Sequence, residues 1–198
     1  MGEKLLLLLL AALPLMGSPG PATLSVAALG STYGLRASLG YYAGIVAGTA
    51  TVLLVIASGV AGLLLALPGA APVVAFLASA YIVYLAWKIA AAPPLTTTGQ
   101  AGKPPAFAGG YLLAIANPKA YAAIGAVYSG HVLVETNIGA DTAAKLALLF
   151  AVIVAVNGAW LVFGAAFARY LAAPRLARAI NVGFALLLVA SVAAALLP

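Results

Sequence analysis

The stretch Ala116-Asn117-Pro118-Lys119-Ala120 lies in the middle of an apolar run that extends over residues 107–129. Asn is a favoured helix N-cap and Pro is favoured at the first helical position, so Asn117-Pro118 predicts the start of a new helix. Pro118 also removes a backbone donor where no water can replace it, and a lysine in such a run is costly. The stretch therefore predicts a membrane helix that is broken midway, with a cation beside the break.

The composition is that of a membrane protein. Of 198 residues, 66% are hydrophobic and 6% are charged, and the mean hydropathy is +1.19. A soluble domain carries about 25% charged residues, so these values are typical of a helical integral protein in a lipid bilayer. Six apolar runs are long enough to cross the hydrocarbon core as helices. They cover residues 5–29, 39–67, 73–91, 107–129, 143–167 and 180–197.

The first run contains a second break, Ser18-Pro19-Gly20-Pro21. Pro19 and Pro118 each follow a small residue of the N-cap type, and two further runs follow each break. We therefore predict two three-helix repeats, residues 1–92 and 106–198, joined within one membrane domain by a Pro-, Gly- and Thr-rich cytoplasmic linker at residues 93–105. Because three is odd, the second repeat enters the membrane from the opposite side. The predicted fold is all-α, with six transmembrane helices in two inverted repeats and with helices 1 and 4 broken.

The amino terminus also resembles a signal peptide, since Met1-Gly2-Glu3-Lys4 is followed by six leucines and cleavage would fall near Ala22. The charges argue against cleavage. If the first run is kept, one side of the membrane holds six basic residues and no acid, namely Arg36, Lys88, Lys103, Arg169, Arg175 and Arg178. The other side holds Lys4, Lys145, Glu3, Glu135 and Asp141. The positive-inside rule then predicts cytoplasmic basic loops and both termini outside, in the inner or plasma membrane.

The two breaks together predict a site for a small carboxylate. Each half-helix starts near the middle of the membrane, with free N–H groups and the positive end of its dipole directed into the protein. Two such ends beside a lysine form an electropositive site. The predicted substrate-binding residues are Ser18, Pro19, Gly20, Pro21, Asn117, Pro118, Lys119 and, in the fifth run, Asn157. The alternatives are that both breaks are packing kinks and that Asn157 bonds a neighbouring helix.

Lys119 lies about 18 Å into its span, too deep for its ammonium group to reach either surface comfortably. Since we place no Asp or Glu within a span, the partner of Lys119 is a backbone carbonyl, a water or a substrate anion, and the residue is also a candidate proton carrier. The spans contain no cluster of metal-ligating residues and no set of nucleophile, base and acid. We therefore expect no metal, no cofactor and no enzymatic activity. The basic residues are scattered singly, so we expect no nucleic-acid partner either.

Gly40, Gly44 and Gly48 are spaced by four residues on the second run. Such a face lets another helix approach closely, either within the chain or across a dimer interface. Packing within the chain is the favoured interpretation.

Several motifs follow one another along the chain: Ser18-Pro19-Gly20-Pro21, Gly34-Leu35-Arg36-Ala37, the three spaced glycines, Ala80-Tyr81-Ile82-Val83-Tyr84-Leu85-Ala86-Trp87-Lys88, Phe107-Ala108-Gly109-Gly110-Tyr111 and Asn117-Pro118-Lys119-Ala120. Together they resemble the LysE-type translocators, the amino-acid exporter family that includes lysine, homoserine and threonine exporters. The resemblance covers residues 15–125 by motif and the last two spans by hydropathy. It implies a small exporter of amino acids of bacterial or archaeal type, driven by the proton-motive force and forming a homodimer.

Two positions depart from the pattern of that family. Ala22 stands where an acidic or amide residue often follows the Pro-Gly-Pro motif, and Thr49 stands where an Asp is common. A cationic amino acid would then cross without a counter-charge, so a neutral amino acid or a similar small carboxylate is the favoured substrate. The alternatives are transport of another small ion or anion, and a membrane assembly protein that transports nothing.

Overall fold

The computed structural model describes residues 2–59 and 105–169, together with scattered positions between 76 and 91 and between 178 and 190. Every regular element in these residues is an α-helix, which confirms the all-α class. The two continuous segments contain α1 (Gly2–Gly17), α2 (Pro21–Tyr33), α3 (Leu35–Ala57), α4 (Phe107–Ile115), α5 (Pro118–Gly130) and α6 (Ile138–Arg169). The third and sixth predicted spans and nearly all of the predicted linker lie outside these segments, so the number of six spans stays a prediction.

Two helices in the described residues, α3 and α6, are each long and apolar enough to cross a bilayer. Helices α1 and α2 pass the same test as a pair that is bent by 62° at its break, which is the geometry of a broken span or of a re-entrant loop. Helix α3 ends at Ala57, short of the predicted residue 67, and Gly59 follows with φ at 75°, a left-handed conformation that favours glycine. Helix α6 begins at Ile138, earlier than the predicted residue 143.

The break in the first span differs from the prediction in one respect. Helix α2 begins at Pro21 with Gly20 as its N-cap, so Ser18 is not a cap residue. The Ser18 hydroxyl instead donates to the carbonyl of Leu15 at 3.0 Å, at the end of α1. Since glycine has no side chain to cap with, Thr23 Oγ1 accepts a hydrogen bond from Gly20 N at 3.0 Å. Thr23 therefore holds the turn between α1 and α2 together.

Glycines bring α3 and α4 into backbone contact. A Cβ atom on Gly44 would lie 2.0 Å from the Phe107 carbonyl oxygen, and one on Gly48 would lie 2.6 Å from that of Tyr111. These distances leave no room for a methyl group, so the two helices approach as closely as small-residue faces allow. The favoured packing within the chain is confirmed for these two glycines. A Cβ atom on Gly40 would have no described atom within 4 Å.

A second close crossing joins α2 to α6. A Cβ atom on Gly164 would lie 2.0 Å from the Ala27 carbonyl oxygen, and one on Gly30 would lie 2.6 Å from that of Leu161. The second half of the broken first span is thereby fixed against a long helix from the other end of the sequence. The first half, α1, packs against α5 and α6.

The buried apolar side chains form two clusters. One combines residues of α2, α4, the first half of α3 and the last third of α6, and the other combines α1, α5, the second half of α3 and the first half of α6. Each broken span contributes one half-helix to each cluster. The two breaks therefore lie where the clusters meet, between the ends of the bundle.

Charged residues close one end of this bundle. The Asp141 carboxylate accepts hydrogen bonds from the backbone N–H groups of Leu133 and Val134 at 2.6 and 3.0 Å, and it pairs with Lys145 at 2.8 Å. Asp141 and Lys145 are buried, and α6 as a candidate span includes both. Asp141 lies in the first turn of α6, two residues before the predicted fifth span, and its charge is neutralised within its own helix and by the preceding loop.

Candidate functional site

The break between α4 and α5 follows the chemistry of its sequence. Asn117 is the N-cap of α5, its side-chain oxygen accepts a hydrogen bond from Lys119 N at 3.2 Å, and Pro118 occupies the first helical position. The Asn117 side chain is 4% exposed. This arrangement confirms that a new helix starts here, with a capped amino-terminal end buried inside the protein.

Lys119 reaches from this break to the other one. Its ammonium group donates to the carbonyl oxygen of Ser18 and, at 3.3 Å, to that of Pro19. Both carbonyls follow the last turn of α1, where the helix dipole is negative and backbone acceptors lack partners within the helix. The sequence leaves a backbone carbonyl, a water or a substrate anion as the partner of Lys119. In this structure the lysine donates to backbone carbonyls.

Gly20 makes the approach of Lys119 possible. A Cβ atom at this position would lie 2.6 Å from Lys119 Cδ and 3.0 Å from Nζ. The lysine side chain therefore lies across the N-cap of α2, in space that any other residue would fill. The Pro-Gly-Pro motif predicts a break, but the need for glycine between the prolines becomes clear only from the packing of α5.

The end of α1 is also held from α6. Trp160 Nε1 donates to the carbonyl oxygen of Gly17 at 3.0 Å. The carbonyls of three successive residues, Gly17 to Pro19, thus all accept hydrogen bonds from the second half of the chain. Nothing in the sequence around Trp160 indicates this role, because the two groups are 143 residues apart.

A cavity of about 40 Å³ lies beside the two breaks. Its polar or backbone-exposing lining consists of Gly20, Thr23, Thr49, Asn117, Lys119 and Asn157, and its apolar lining consists of Met16, Ala22, Ala120, Ala123, Ile124, Ile153 and Val156. The structure thus brings Gly20, Asn117, Lys119 and Asn157 together. The cavity is thus only a few times the roughly 10–15 Å³ that a single water molecule needs.

The other predicted site residues lie at the two breaks but do not line the cavity. Ser18 and Pro19 contribute their carbonyl oxygens to Lys119, whereas Pro21 and Pro118 are the first residues of the half-helices and do not line the cavity. Thr23 and Thr49 also line the cavity, and neither is among the predicted binding residues. A signal for Thr23 was available, since a threonine three residues after a glycine N-cap can complete a capping box.

Asn157 has an incomplete set of hydrogen bonds. Its residue is 5% exposed, and Nδ2 donates to the Ile153 carbonyl oxygen at 2.8 Å, one turn earlier in α6. Its Oδ1 atom is buried without a hydrogen-bond partner in the part of the chain that the structure describes. The alternative that Asn157 bonds a neighbouring helix has no support in these contacts, because Ile153 belongs to the same helix.

Among the described residues that line the cavity, Lys119 is the one that carries a charge. Asp141 and Lys145 neutralise each other near the start of α6, and Lys4 pairs with Glu135 at 2.5 Å. Within the described ranges, no three His, Cys, Asp or Glu residues lie close enough together to hold a metal ion. The described part of the cavity is therefore electropositive.

The sequence model of one protein family, the LysE type translocators, matches residues 13–197. The match begins within α1 and covers both breaks, the cavity and the last predicted span. No curated protein and no solved structure matches the chain.

Proposed function

This chain belongs to the LysE type translocator family, and on that premise we propose that it exports a small amino acid across the cell membrane. The family is one of translocators, so the chain is a membrane transport protein and not an enzyme. The substrate, its position and the transport cycle are our proposals. The amino acid and the lipid bilayer are the proposed partners, together with a second copy of the chain in a homodimer.

The observation that carries the proposal is the contact set of Lys119. The ammonium group lines an internal cavity, and its hydrogen-bond partners in the described residues are the neutral carbonyls of Ser18 and Pro19. A hydrogen bond between two ionised groups is stronger than one to a neutral acceptor, so a carboxylate entering the cavity competes well for the lysine. The capped amino-terminal end of α5 adds further positive potential. The carboxylate therefore binds between Lys119 and the paired half-helix ends.

A neutral amino acid is the preferred substrate. No Asp or Glu belongs to the described lining of the cavity, and the acid on α6, Asp141, is already paired with Lys145. A cationic side chain placed beside Lys119 would therefore lack a counter-charge in a site that water reaches poorly. A neutral side chain avoids that cost.

Substrate binding requires the helices to separate, because the cavity admits only a few waters. The helix contacts support two inverted three-helix repeats as the moving parts. Helix α3 packs on α4 as α6 packs on α1, and α2 packs on α6 as α5 packs on α3, so these two sets of contacts correspond when the halves are exchanged, whereas the contact of α2 with α3 has no comparable counterpart between α5 and α6 in the described residues. Such repeats in other secondary transporters rock about a binding site near mid-membrane. Alternating access about the two breaks is the proposed cycle.

The proposed orientation has both termini outside the cytoplasm. Lys4 at the start of α1 pairs with Glu135 between α5 and α6, so the acidic residues gather at the same end as the amino terminus. Arg36 lies at the other end, in the first turn of α3. The positive-inside rule assigns the end with the basic residues to the cytoplasm.

The test is counterflow in proteoliposomes that contain the purified full-length chain. Vesicles are loaded with one unlabelled amino acid at a time, and uptake of the same labelled amino acid is followed across a panel of neutral, cationic and acidic members. We expect exchange of at least one neutral amino acid and weaker exchange of lysine and arginine. Silence towards every amino acid would overturn the proposal. Exchange of small inorganic anions alone would favour the second candidate, an anion transporter, for which the small cavity and Lys119 are suited.

A further inference from the structure

The unpartnered oxygen of Asn157 points to a second contact with the substrate. A buried polar atom without a hydrogen bond destabilises the folded state, so native proteins keep few of them and each requires a reason. Asn157 Oδ1 is such an atom in the described part of the chain, and its residue lines the same cavity as Lys119. A ligand in that cavity would supply the missing partner.

The neighbouring carbonyl fixes which end of the amide is free. The Ile153 carbonyl can only accept a hydrogen bond, so the group that contacts it at 2.8 Å must be the Asn157 NH₂. The oxygen is then the end without a protein partner. Because it can only accept, the missing partner must be a donor.

We propose that Asn157 Oδ1 accepts a hydrogen bond from the protonated α-amine of the bound amino acid while Lys119 holds its carboxylate. The inference rests on the proposed function and extends it to the recognition of the amine. The cavity offers a cation at Lys119 and a free acceptor at Asn157, and an α-amino acid carries the complementary pair of groups. Thr23 Oγ1 is a weaker competitor for the amine because it already donates to the Gly20 carbonyl and accepts from Gly20 N.

This assignment explains selectivity for compounds that carry an amine. A site built to hydrogen-bond a substrate N–H rejects the analogue that lacks it, since the buried polar atom is then left unpaired. The amide oxygen of Asn157 is neutral. It can therefore accept from the α-ammonium group of the substrate without supplying a negative charge that would favour substrates with a second ammonium group. Asn157 is in this sense a specificity-determining residue for zwitterionic substrates.

The experiment compares a transported neutral amino acid with the carboxylic acid of the same carbon skeleton that lacks the α-amine. Equilibrium binding of both compounds is measured on the full-length chain in detergent, for the wild type, Asn157→Leu and Thr51→Val. Leucine keeps the approximate volume of asparagine but cannot accept a hydrogen bond. Thr51→Val is the matched control, because Thr51 bonds Ala47 and Tyr111 and does not line the cavity.

We expect Asn157→Leu to weaken binding of the amino acid about 10- to 100-fold, the usual value of a hydrogen bond to a charged group, and to change binding of the des-amino acid by no more than a few-fold. Thr51→Val should leave the ratio of the two affinities unchanged. Equal losses for both compounds, or no loss for either, would overturn the assignment. If the wild type transports and binds no amino acid, the proposed function fails together with it, whereas an active wild type with unchanged selectivity in Asn157→Leu removes only the role of Asn157.

A second variant decides the question if Asn157→Leu does not fold. Asn157→Asp places a carboxylate at the same position, and its charge strengthens the contact with ammonium groups. The measured quantity is the ratio of counterflow of the amino acid to counterflow of the corresponding des-amino acid, which does not depend on how much protein is active. We expect this ratio to rise about tenfold. An unchanged ratio would contradict the proposal.

Discussion

The Lys119 ammonium group donates to the carbonyl oxygen of Ser18, which lies 101 residues earlier in the chain. This contact joins the amino-terminal end of α5 to the carboxy-terminal end of α1, so the two breaks form one polar centre. The positive charge satisfies carbonyls that the end of α1 leaves unpaired, which is a favourable position for a cation. The same contact must be exchanged or stretched when a substrate carboxylate binds the lysine.

The first prediction concerns the charge of Lys119. Lys119→Met keeps an unbranched side chain of similar length but removes the ammonium group. We expect counterflow of the transported amino acid to fall about 10- to 100-fold, because a charge-assisted contact with the carboxylate is lost. Lys4→Met is the control, since it removes a lysine at the end of the bundle and should retain transport. Undiminished transport by Lys119→Met, with normal helical content, would remove Lys119 from the site.

The second prediction is a pH dependence of stability at the amino-terminal end. The hydrogen bond from Lys4, together with its charge, lowers the pKa of the Glu135 carboxyl from its ordinary value of 4.5. A carboxyl with a lowered pKa stabilises the folded state above its unfolded pKa, and this contribution is lost as the pH falls through the lower folded value. We therefore expect Glu135→Gln to lower the melting temperature slightly at neutral pH and to have no effect in strongly acidic buffer.

The control for the Glu135 prediction is a double-mutant cycle with Lys4→Met. Because the pair is exposed, its stabilisation is small and decreases with salt. In the Lys4→Met background, Glu135→Gln should change the melting temperature no further at any pH. A difference that persists in that background would show that Glu135 acts through another partner.

The third prediction tests the close crossing of α3 and α4. Gly44→Ala would place a methyl carbon 2.0 Å from the Phe107 carbonyl oxygen, so the two backbones must separate. Overpacking of this kind costs about 1–3 kcal/mol, and we expect a clear drop in the melting temperature in detergent. Gly40→Ala is the matched control on the same helix, since no described atom lies within 4 Å of its new carbon. Equal effects of the two substitutions would contradict the packing role of Gly44.

The sequence predicts local features of the site and not the contacts between its parts. Asn117 and Pro118 are predictable because capping involves groups within a few residues of each other. Which carbonyl groups bind Lys119 is not predictable, because they belong to the end of α1 and reach the lysine only through packing of distant parts of the chain. For the same reason, the hydrogen bond between Trp160 and Gly17 is not predictable from the sequence.

The first break shows how a correct motif leads to an incorrect cap. A serine followed by proline predicts an N-cap at Ser18, but a second proline two residues later offers an equally good first position at Pro21. The start at Pro21 is supported by Thr23, whose hydroxyl oxygen accepts a hydrogen bond from the backbone N–H of the N-cap residue Gly20. The burial of Asp141 has no local signal for a similar reason, since Leu133, Val134 and Lys145 complete its contacts only when the loop after α5 folds against the start of α6.

The last prediction concerns Gly20, which carries no chemistry of its own. Gly20→Ala adds a carbon 2.6 Å from Lys119 Cδ, so the lysine side chain must leave the N-cap of α2. Since the backbone at this position has φ of −174°, alanine adopts it without strain, and the effect of the substitution is confined to the space that Lys119 occupies. We expect counterflow to fall about tenfold or more, while the melting temperature falls only modestly because a flexible side chain can move.

Gly17→Ala is the matched control for this substitution. It lies at the other side of the same break, where its added carbon would meet Val156 at an ordinary contact distance of 3.8 Å and would not meet Lys119. Both variants are reconstituted in proteoliposomes at equal protein content, and their initial counterflow rates are compared with the wild type. Because both changes add one methyl group beside the first break, only the position relative to Lys119 separates them. Equal rates in the two variants would mean that the placement of Lys119 over Gly20 has no part in transport.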